Sequence, residues 1–385
     1  MLFNIKSSTN FSGFYIVFEG STMVEKPGWY GLSHLMEHLV CKSFEHLQDV
    51  FQQKNIKWNA YTSSSEVVFF MTGLDRHISA HKKEFLELIL SYSPTQAQLD
   101  NEKKIVLEEY KRAFSSQMQS HYLNLQRKMF NYYDAIGLRS DIENFTLEDC
   151  NYYLDKYLKS PTKIINISQN HEFLIDIPFR EKPELKNFEI QNNTEFYKIK
   201  SDEHTLVPDG KIPLELINDF KNKSNIILSS PVIKNDFAKI DFLCEMAGSG
   251  LNSPLYKEVR EKLGLVYNLF CFNDGFNEEN SMIIIGTDTS NNNVEKVIST
   301  IKNILDNKTT YLTQERFDII KDRYKTKIEE AEILNHTEFR KYIQPDNWAI
   351  EKIIDTITLD EILAIADKYL NWDKIRVSVD KSEFE

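Results

Sequence analysis

The sequence predicts an α+β fold of two similar domains, each a mainly antiparallel sheet packed with helices, the two related by internal duplication. Three observations lead there. A length of 385 residues exceeds what one hydrophobic core organises and suits two domains of roughly 150–200 residues each. Apolar residues supply 41% and charged residues 27%, with 12 Gly and 10 Pro, a balance that excludes collagen-like, low-complexity and wholly disordered chains. The third observation is a repeat. Thr146-Leu147-Glu148-Asp149 is followed by Asp155-Lys156-Tyr157-Leu158, and Thr358-Leu359-Asp360-Glu361 is followed at the same spacing by Asp367-Lys368-Tyr369-Leu370. Each unit offers an N-cap threonine with acids in the first helical turn, where the helix dipole favours negative charge. Each then runs into a β-branched stretch, Lys163–Ile167 and Lys374–Val379, that reads as a strand. A weaker echo pairs Thr95-Gln96 with Thr313-Gln314, each opening a long charged helical pattern.

The halves are expected at 1–180 and 195–385. Between them Glu181–Ser201 is rich in Lys, Glu and Asn around Pro183, with little apolar periodicity, and 181–194 reads as a linker. In the first half, apolar patterning predicts a strand at Phe14–Glu19, a helix over 31–45 and a short helix at His46–Lys54. A strand over Trp58–Met71 and helices over Ile78–Ser91 and Thr95–Phe114 follow. The second half offers strands at Asn225–Leu228, Leu265–Phe272 and Met282–Gly286, with helices at Val294–Leu305 and Thr313–Ile333.

The formal net charge is −12, from 46 basic and 58 acidic residues, which argues against a sequence-independent nucleic-acid binder. An acidic surface is otherwise an ordinary solubility device. Cys41, Cys150, Cys244 and Cys271 lie far apart with no CxxC pair, so neither a disulfide framework nor a cysteine-only zinc site is expected. No apolar run approaches the roughly 18–20 residues that span a bilayer, and the N-terminus lacks a basic start before an apolar stretch. These features predict a cytoplasmic protein without membrane contact.

The sharpest chemical signal is His34-Leu35-Met36-Glu37-His38. Residues four apart project from one helical face, so both histidines can reach one metal ion. Glu37 precedes the second histidine, where its carboxylate can approach water at the metal without being a ligand. Catalytic zinc takes three protein ligands and keeps a fourth position open. With 9 histidines in the chain, chance supplies this inverted pattern only about 0.02 times. A third ligand must come from elsewhere. Glu102 and Glu109 lie two turns apart on one face of a strongly helical stretch, while Glu108 points about 100° away and reads as solvated.

The His34–His38 motif, Asn59-Ala60-Tyr61-Thr62-Ser63 and the Glu102/Glu109 pair together resemble the pitrilysin (insulysin-like) zinc peptidases. The likeness is closest to the branch of short subunits that includes mitochondrial processing peptidase. Leu255–Tyr267 likewise resembles that family's Leu-x-x-x-x-Arg-x-x-x-Gly-Leu-x-Tyr segment, with Arg260 and Tyr267 at its arginine and tyrosine. The resemblance spans nearly the whole chain. It departs after the motif, where the usual Phe-x-Gly-Thr stretch is replaced by Val40-Cys41-Lys42-Ser43-Phe44, trimming the mouth of the site.

The resemblance implies a zinc-dependent endopeptidase holding one Zn2+ through His34, His38 and Glu109, with Glu102 supporting the ligand set. Glu37 would be the general base, Tyr267 an oxyanion donor, and Arg260 and Tyr267 substrate contacts. Asn59 and Ala60 would lie on a strand that pairs with extended peptide substrates, cleaved in a closed chamber. It further implies a homodimer, or a heterodimer with an inactive relative, in which Arg260 and Tyr267 complete the partner's zinc site. The competing expectation is a non-catalytic peptide-binding or scaffold subunit of the same fold.

Other features carry less. Cys41 falls on the face of His34 and His38, but a thiol there is more often a small buried apolar group than a ligand. Gly248-Ser249-Gly250 lacks the lysine of a phosphate loop and reads as a helix end. His77 and His81 have no neighbouring acid that completes a site. The aromatic-rich His121–Tyr133 reads as core or interface.

Overall fold

A computed structural model of the chain describes residues 1–186, 223–233, 236–277, 279–333, 342 and 349–381. Of the expected linker, 187–194 lie outside these residues, and 181–186 run without helix or strand. The described residues gather into two units, one from 1–114, 131–186, 330–333 and 342, the other from 115–130, 223–329 and 349–381.

The first unit is built around a five-stranded sheet. Its strands are β1 (Leu2–Lys6), β2 (Phe11–Glu19), β3 (Lys57–Thr62), β4 (Glu66–Leu74) and β5 (Lys163–Ser168), in the order β1-β5-β2-β4-β3. Only β1 and β5 run parallel, with Leu2 opposite Ile164; the other neighbours are antiparallel. Helices α1 (Leu32–Cys41), α2 (Gln48–Gln53), α3 (Asp75–Ser91), α4 (Gln96–Ser115), α6 (Arg139–Asn144) and α7 (Leu147–Tyr153) complete it. Strand β2 is buried on both faces. Phe14, Ile16 and Phe18 join the main core with α1, α3 and α4, while Tyr15 and Val17 pack with Val68, Ile165 and Ile167 on the other side.

The second unit repeats the plan. Strands β6 (Lys223–Ile233), β7 (Leu269–Gly275), β8 (Asn280–Ser290) and β9 (Arg376–Lys381) form an antiparallel sheet in the order β7-β8-β6-β9. That order matches β3-β4-β2-β5 strand for strand. Its helices are α5 (Gln117–Phe130), α8 (Phe237–Gly248), α9 (Val294–Asp306), α10 (Lys308–Tyr311), α11 (Gln314–Ile333) and α12 (Leu359–Tyr369). Helix α5 falls in the first half of the sequence yet packs with this unit, through Phe130 on Phe276 at 4.6 Å and His121 Nε2 on Ser378 Oγ at 2.7 Å.

The repeat seen in the sequence has an atomic counterpart. Thr146 and Thr358 each cap a helix by accepting the amide of the third helical residue, Asp149 or Glu361, whose carboxylate takes the cap amide in return at 3.0 Å. Each capping box satisfies two helix-end amides before the chain enters β5 or β9.

Two expectations need correction. The stretch Trp58–Met71 is a hairpin rather than one strand: Ser63-Ser64-Ser65 turns the chain, with the Ser63 amide donating to the Glu66 carbonyl at 2.8 Å. Serine hydroxyls offer the backbone local partners that favour turns. The first helix ends at Cys41, and Lys42–Leu47 continue as a tighter turn because Phe44 leaves helical geometry at φ −117°. That bend seats Phe44 against Trp58 and Phe85, ring centroids 4.7 and 5.0 Å away. Gly248-Ser249-Gly250 does end α8, with Gly250 at φ +81°. No helix among the described residues is long and apolar enough to cross a membrane.

Candidate metal centre

Helix α1 carries the motif because its sequence sorts cleanly by period. Leu32, Leu35, Met36, Leu39 and Val40 form a fully buried stripe, leaving His34, Glu37, His38 and Cys41 on the less covered face. Gly31 starts the helix at φ +99°, a conformation that disfavours a side chain. It lies against Gly137, at which an added methyl would meet the Tyr30 carbonyl oxygen at 2.2 Å. The buried Glu25 closes the helix end: its carboxylate accepts the amides of Gly31 at 2.9 Å and Ser33 at 2.7 Å, and also the Ser33 hydroxyl. Burial pushes the Glu25 carboxyl up to about 7 against those hydrogen bonds.

His34 Nε2 and His38 Nε2 stand 3.2 Å apart, with perpendicular rings. Glu109 Oε2, reaching over from α4, lies 3.5 Å from the first and 3.6 Å from the second. Among the described residues these are the three donors gathered closely enough to share an ion. Zinc bonded to nitrogen and carboxylate at about 2.0–2.2 Å with tetrahedral angles separates its ligand atoms by about 3.3 Å. The donor set of two imidazoles and one carboxylate fits that ion. Burial, aided by the neighbouring His38, pushes the His34 imidazole down to about 4, so it is neutral with a free lone pair at pH 7.

The supporting groups are equally local. Glu102, one of four buried residues along α4, takes His38 Nδ1 at 3.4 Å with one oxygen. Its other oxygen accepts Lys42 Nζ at 3.0 Å and Asn101 Nδ2 at 3.1 Å. A proton on His38 Nδ1 would be directed at Glu102, which would leave the Nε2 lone pair toward the donor cluster. Glu108 points to solvent and pairs with Lys111. Cys41 lies outside the donor group, and burial pushes its thiol well above its ordinary range.

Glu37 is held from the neighbouring strand: the Thr62 hydroxyl donates to its Oε2 at 2.6 Å. Burial raises the Glu37 carboxyl above the ordinary carboxylate range, the Thr62 bond and His38 oppose the rise, and Glu109 adds to it. Asn59 and Ala60 stand on the edge strand β3, where the Asn59 side-chain oxygen accepts the Ala60 amide at 3.0 Å. Arg260 and Tyr267 meet one another in the second unit, the guanidinium 4.9 Å from the Tyr267 ring centre and 4.7 Å from that of Tyr256. Tyr267 is 71% exposed. Sequence reasoning did not single out Thr62, Lys42 or Glu25. Lys42 follows His38 by one helical turn and was readable on that spacing, whereas nothing local marks Glu25.

Comparison with known proteins agrees with this arrangement. Residues 2–136 match the family described as insulinase (peptidase family M16), and residues 165–324 match the peptidase M16 inactive domain. An uncharacterized zinc protease of Rickettsia bellii is 20% identical over 365 residues, covering 89% of this chain and 86% of that protein. The zinc protease PqqE of Helicobacter pylori is 22% identical over 80% of this chain and 71% of its own length. Among solved structures, a protease from Helicobacter pylori superposes with a TM-score of 0.76 at 15% identity, covering 98% of this chain and 96% of that one. The M16 inactive domain from Pseudomonas fluorescens gives 0.72 at 14% identity, covering 98% and 94%. Helix α8, which follows β6 as α1 follows β2, carries no histidine, in keeping with a second domain that holds no metal motif. With both M16 domains matched in order along its length, the chain belongs to the M16 peptidase family.

Proposed function

We propose that the chain is a zinc-dependent endopeptidase acting on extended or unfolded peptide segments. The observation that carries this reading is the convergence of His34, His38 and Glu109 at 3.2–3.6 Å with the Glu37 carboxylate beside them. Zinc held there supplies Lewis acidity toward water and the scissile carbonyl. Glu37 accepts the proton of the attacking water and returns it to the departing amine, a role its raised affinity for protons suits. Glu102 keeps the His38 ring in its metal-facing tautomer. The free edge of β3 at Asn59 and Ala60 aligns substrate by main-chain pairing, which reads backbone more than side chain.

Arg260 and Tyr267 supply substrate contacts and an oxyanion donor from a second copy of the chain, closing a chamber over the cut peptide. A homodimer is favoured because one sequence holds both the zinc motif and the Arg260/Tyr267 segment.

The deciding experiment is Glu37→Gln. Zinc content should stay at one ion per chain while peptide hydrolysis falls about 10²–10⁴-fold. Near wild-type cleavage by the variant would remove the base assignment. Purified chain that neither contains zinc nor takes it up would instead favour the scaffold role.

A further inference from the structure

We infer that Thr62 is a positioning residue for the reaction, holding the Glu37 carboxylate in its working orientation from the edge strand. This rests on reading Glu37 as the base. Period two places Trp58, Ala60 and Thr62 on the face of β3 that meets α1, and Lys57, Asn59 and Tyr61 on the other. Trp58 packs on Phe44, Ala60 is buried, and Thr62 bonds Glu37 at 2.6 Å; Tyr61 lies instead near Phe70 on the opposite side. Among the described residues no other side chain hydrogen-bonds Glu37. The donor is well fixed. Threonine is stiff at χ1, and Thr62 sits opposite the buried Val67, directly before the turn closed by the Ser63 amide and the Glu66 carbonyl.

That closing bond also sets the hydrogen-bond phase of the hairpin. Tyr61 and Asn59 face β4 with their main-chain groups, so those of Ala60 and Thr62 face the open edge. The Ala60 amide is accordingly found on its neighbour's side chain rather than in the ladder. A peptide added to the edge would therefore engage the backbone of Ala60 and of Thr62 itself, whose hydroxyl orients the base. Substrate register and base orientation are set by one short strand.

Thr62→Val removes the hydroxyl and keeps the shape, whereas Thr62→Ser restores the donor. The expected result is a kcat at least about 10-fold lower for Thr62→Val, with KM and zinc content within about twofold of wild type, and recovery to within about threefold in Thr62→Ser. On a Glu37→Gln background, Thr62→Val should change nothing further. Crystal structures of both variants give a readout independent of turnover. The Glu37 carboxylate should leave the His34–His38 pair in Thr62→Val and stay in Thr62→Ser. A Thr62→Val enzyme with wild-type kcat, or one whose Glu37 has not moved, overturns the inference. Should the valine variant fold poorly, Thr62→Ala serves in its place. Full activity in Glu37→Gln alone would sink the base assignment, while the crystallographic comparison still decides whether Thr62 places Glu37.

Discussion

Lys42 Nζ stands 3.0 Å from Glu102, a carboxylate only 2% exposed whose other oxygen faces the His38 ring. The ammonium compensates a nearly buried negative charge and lets it remain an acceptor for His38. Glu102→Gln should weaken zinc binding about 10–100-fold, and Lys42→Met about threefold to tenfold because water replaces the ammonium. Competition against a chromophoric chelator measures both. Unchanged affinities would mean that His38 needs no support from α4.

Glu109 and Glu108 are adjacent in sequence and opposite in fate. Glu109→Ala removes one of three donors and should cost roughly 100-fold or more in zinc affinity. Glu108→Ala should leave it unchanged, since that side chain pairs with Lys111 in solvent. Equal losses in the two variants would overturn the helical register at the metal.

A composite site has an arithmetic signature. Glu37→Gln and Tyr267→Phe proteins, each inactive alone, should regain activity on mixing, because a mixed dimer holds one intact pairing. With free exchange about one site in four is complete, so about a quarter of wild-type activity should return. Native mass spectrometry reports the exchange. Exchange without rescue would place all catalytic groups in one chain or none in a dimer.

Glu25 acts on the start of α1 from a loop. Glu25→Ala leaves the Gly31 and Ser33 amides without their acceptor and should cost about 2–4 kcal/mol of stability. Faster amide exchange at the first turn of α1 in the metal-free protein would locate the loss. Wild-type protection there would show that the glycine crossing alone sets the helix start.

His121 gives the second unit a dependence on acid. Burial pushes its imidazole down to about 4 from an ordinary value of 6.5. The folded form therefore refuses a proton that the unfolded chain accepts as pH falls below 6.5. Stability is whole above that value, declines toward pH 4 and then levels off. The loss between pH 7.5 and 4.5 should be about 2–3 kcal/mol larger in wild type than in His121→Gln. Denaturant titrations at the two pH values compare them, and parallel losses would assign the acid sensitivity to other groups.

The metal motif was legible because its geometry is local: a helix puts residues four apart on one side whatever surrounds it. The pairing of Glu102 with Glu109 was legible for the same reason, although that α4 approaches α1 was known only through the family likeness. Long-range relations were not readable. Strand β1 escaped notice because its reason for being a strand is β5, at the far end of the unit. Thr62 looked like part of a strand signature, since its partner Glu37 depends on how β3 crosses α1. The hairpin was masked by a continuous β-prone pattern on both sides of three serines.

The close crossing of Gly31 and Gly137 bears on the order in which the protein is made. All three candidate donors precede residue 137 in the chain, yet the start of the helix that carries His34 and His38 packs against that residue. A nascent chain halted after Glu109 carries every ligand and lacks the piece against which α1 is aligned. On the reading of His34 and His38 as ligands, such an intermediate would present them on a helix whose start still lacks its packing partner. The two methyl-free positions, both in loops, thus tie the start of α1 to a segment made after every one of the candidate donors.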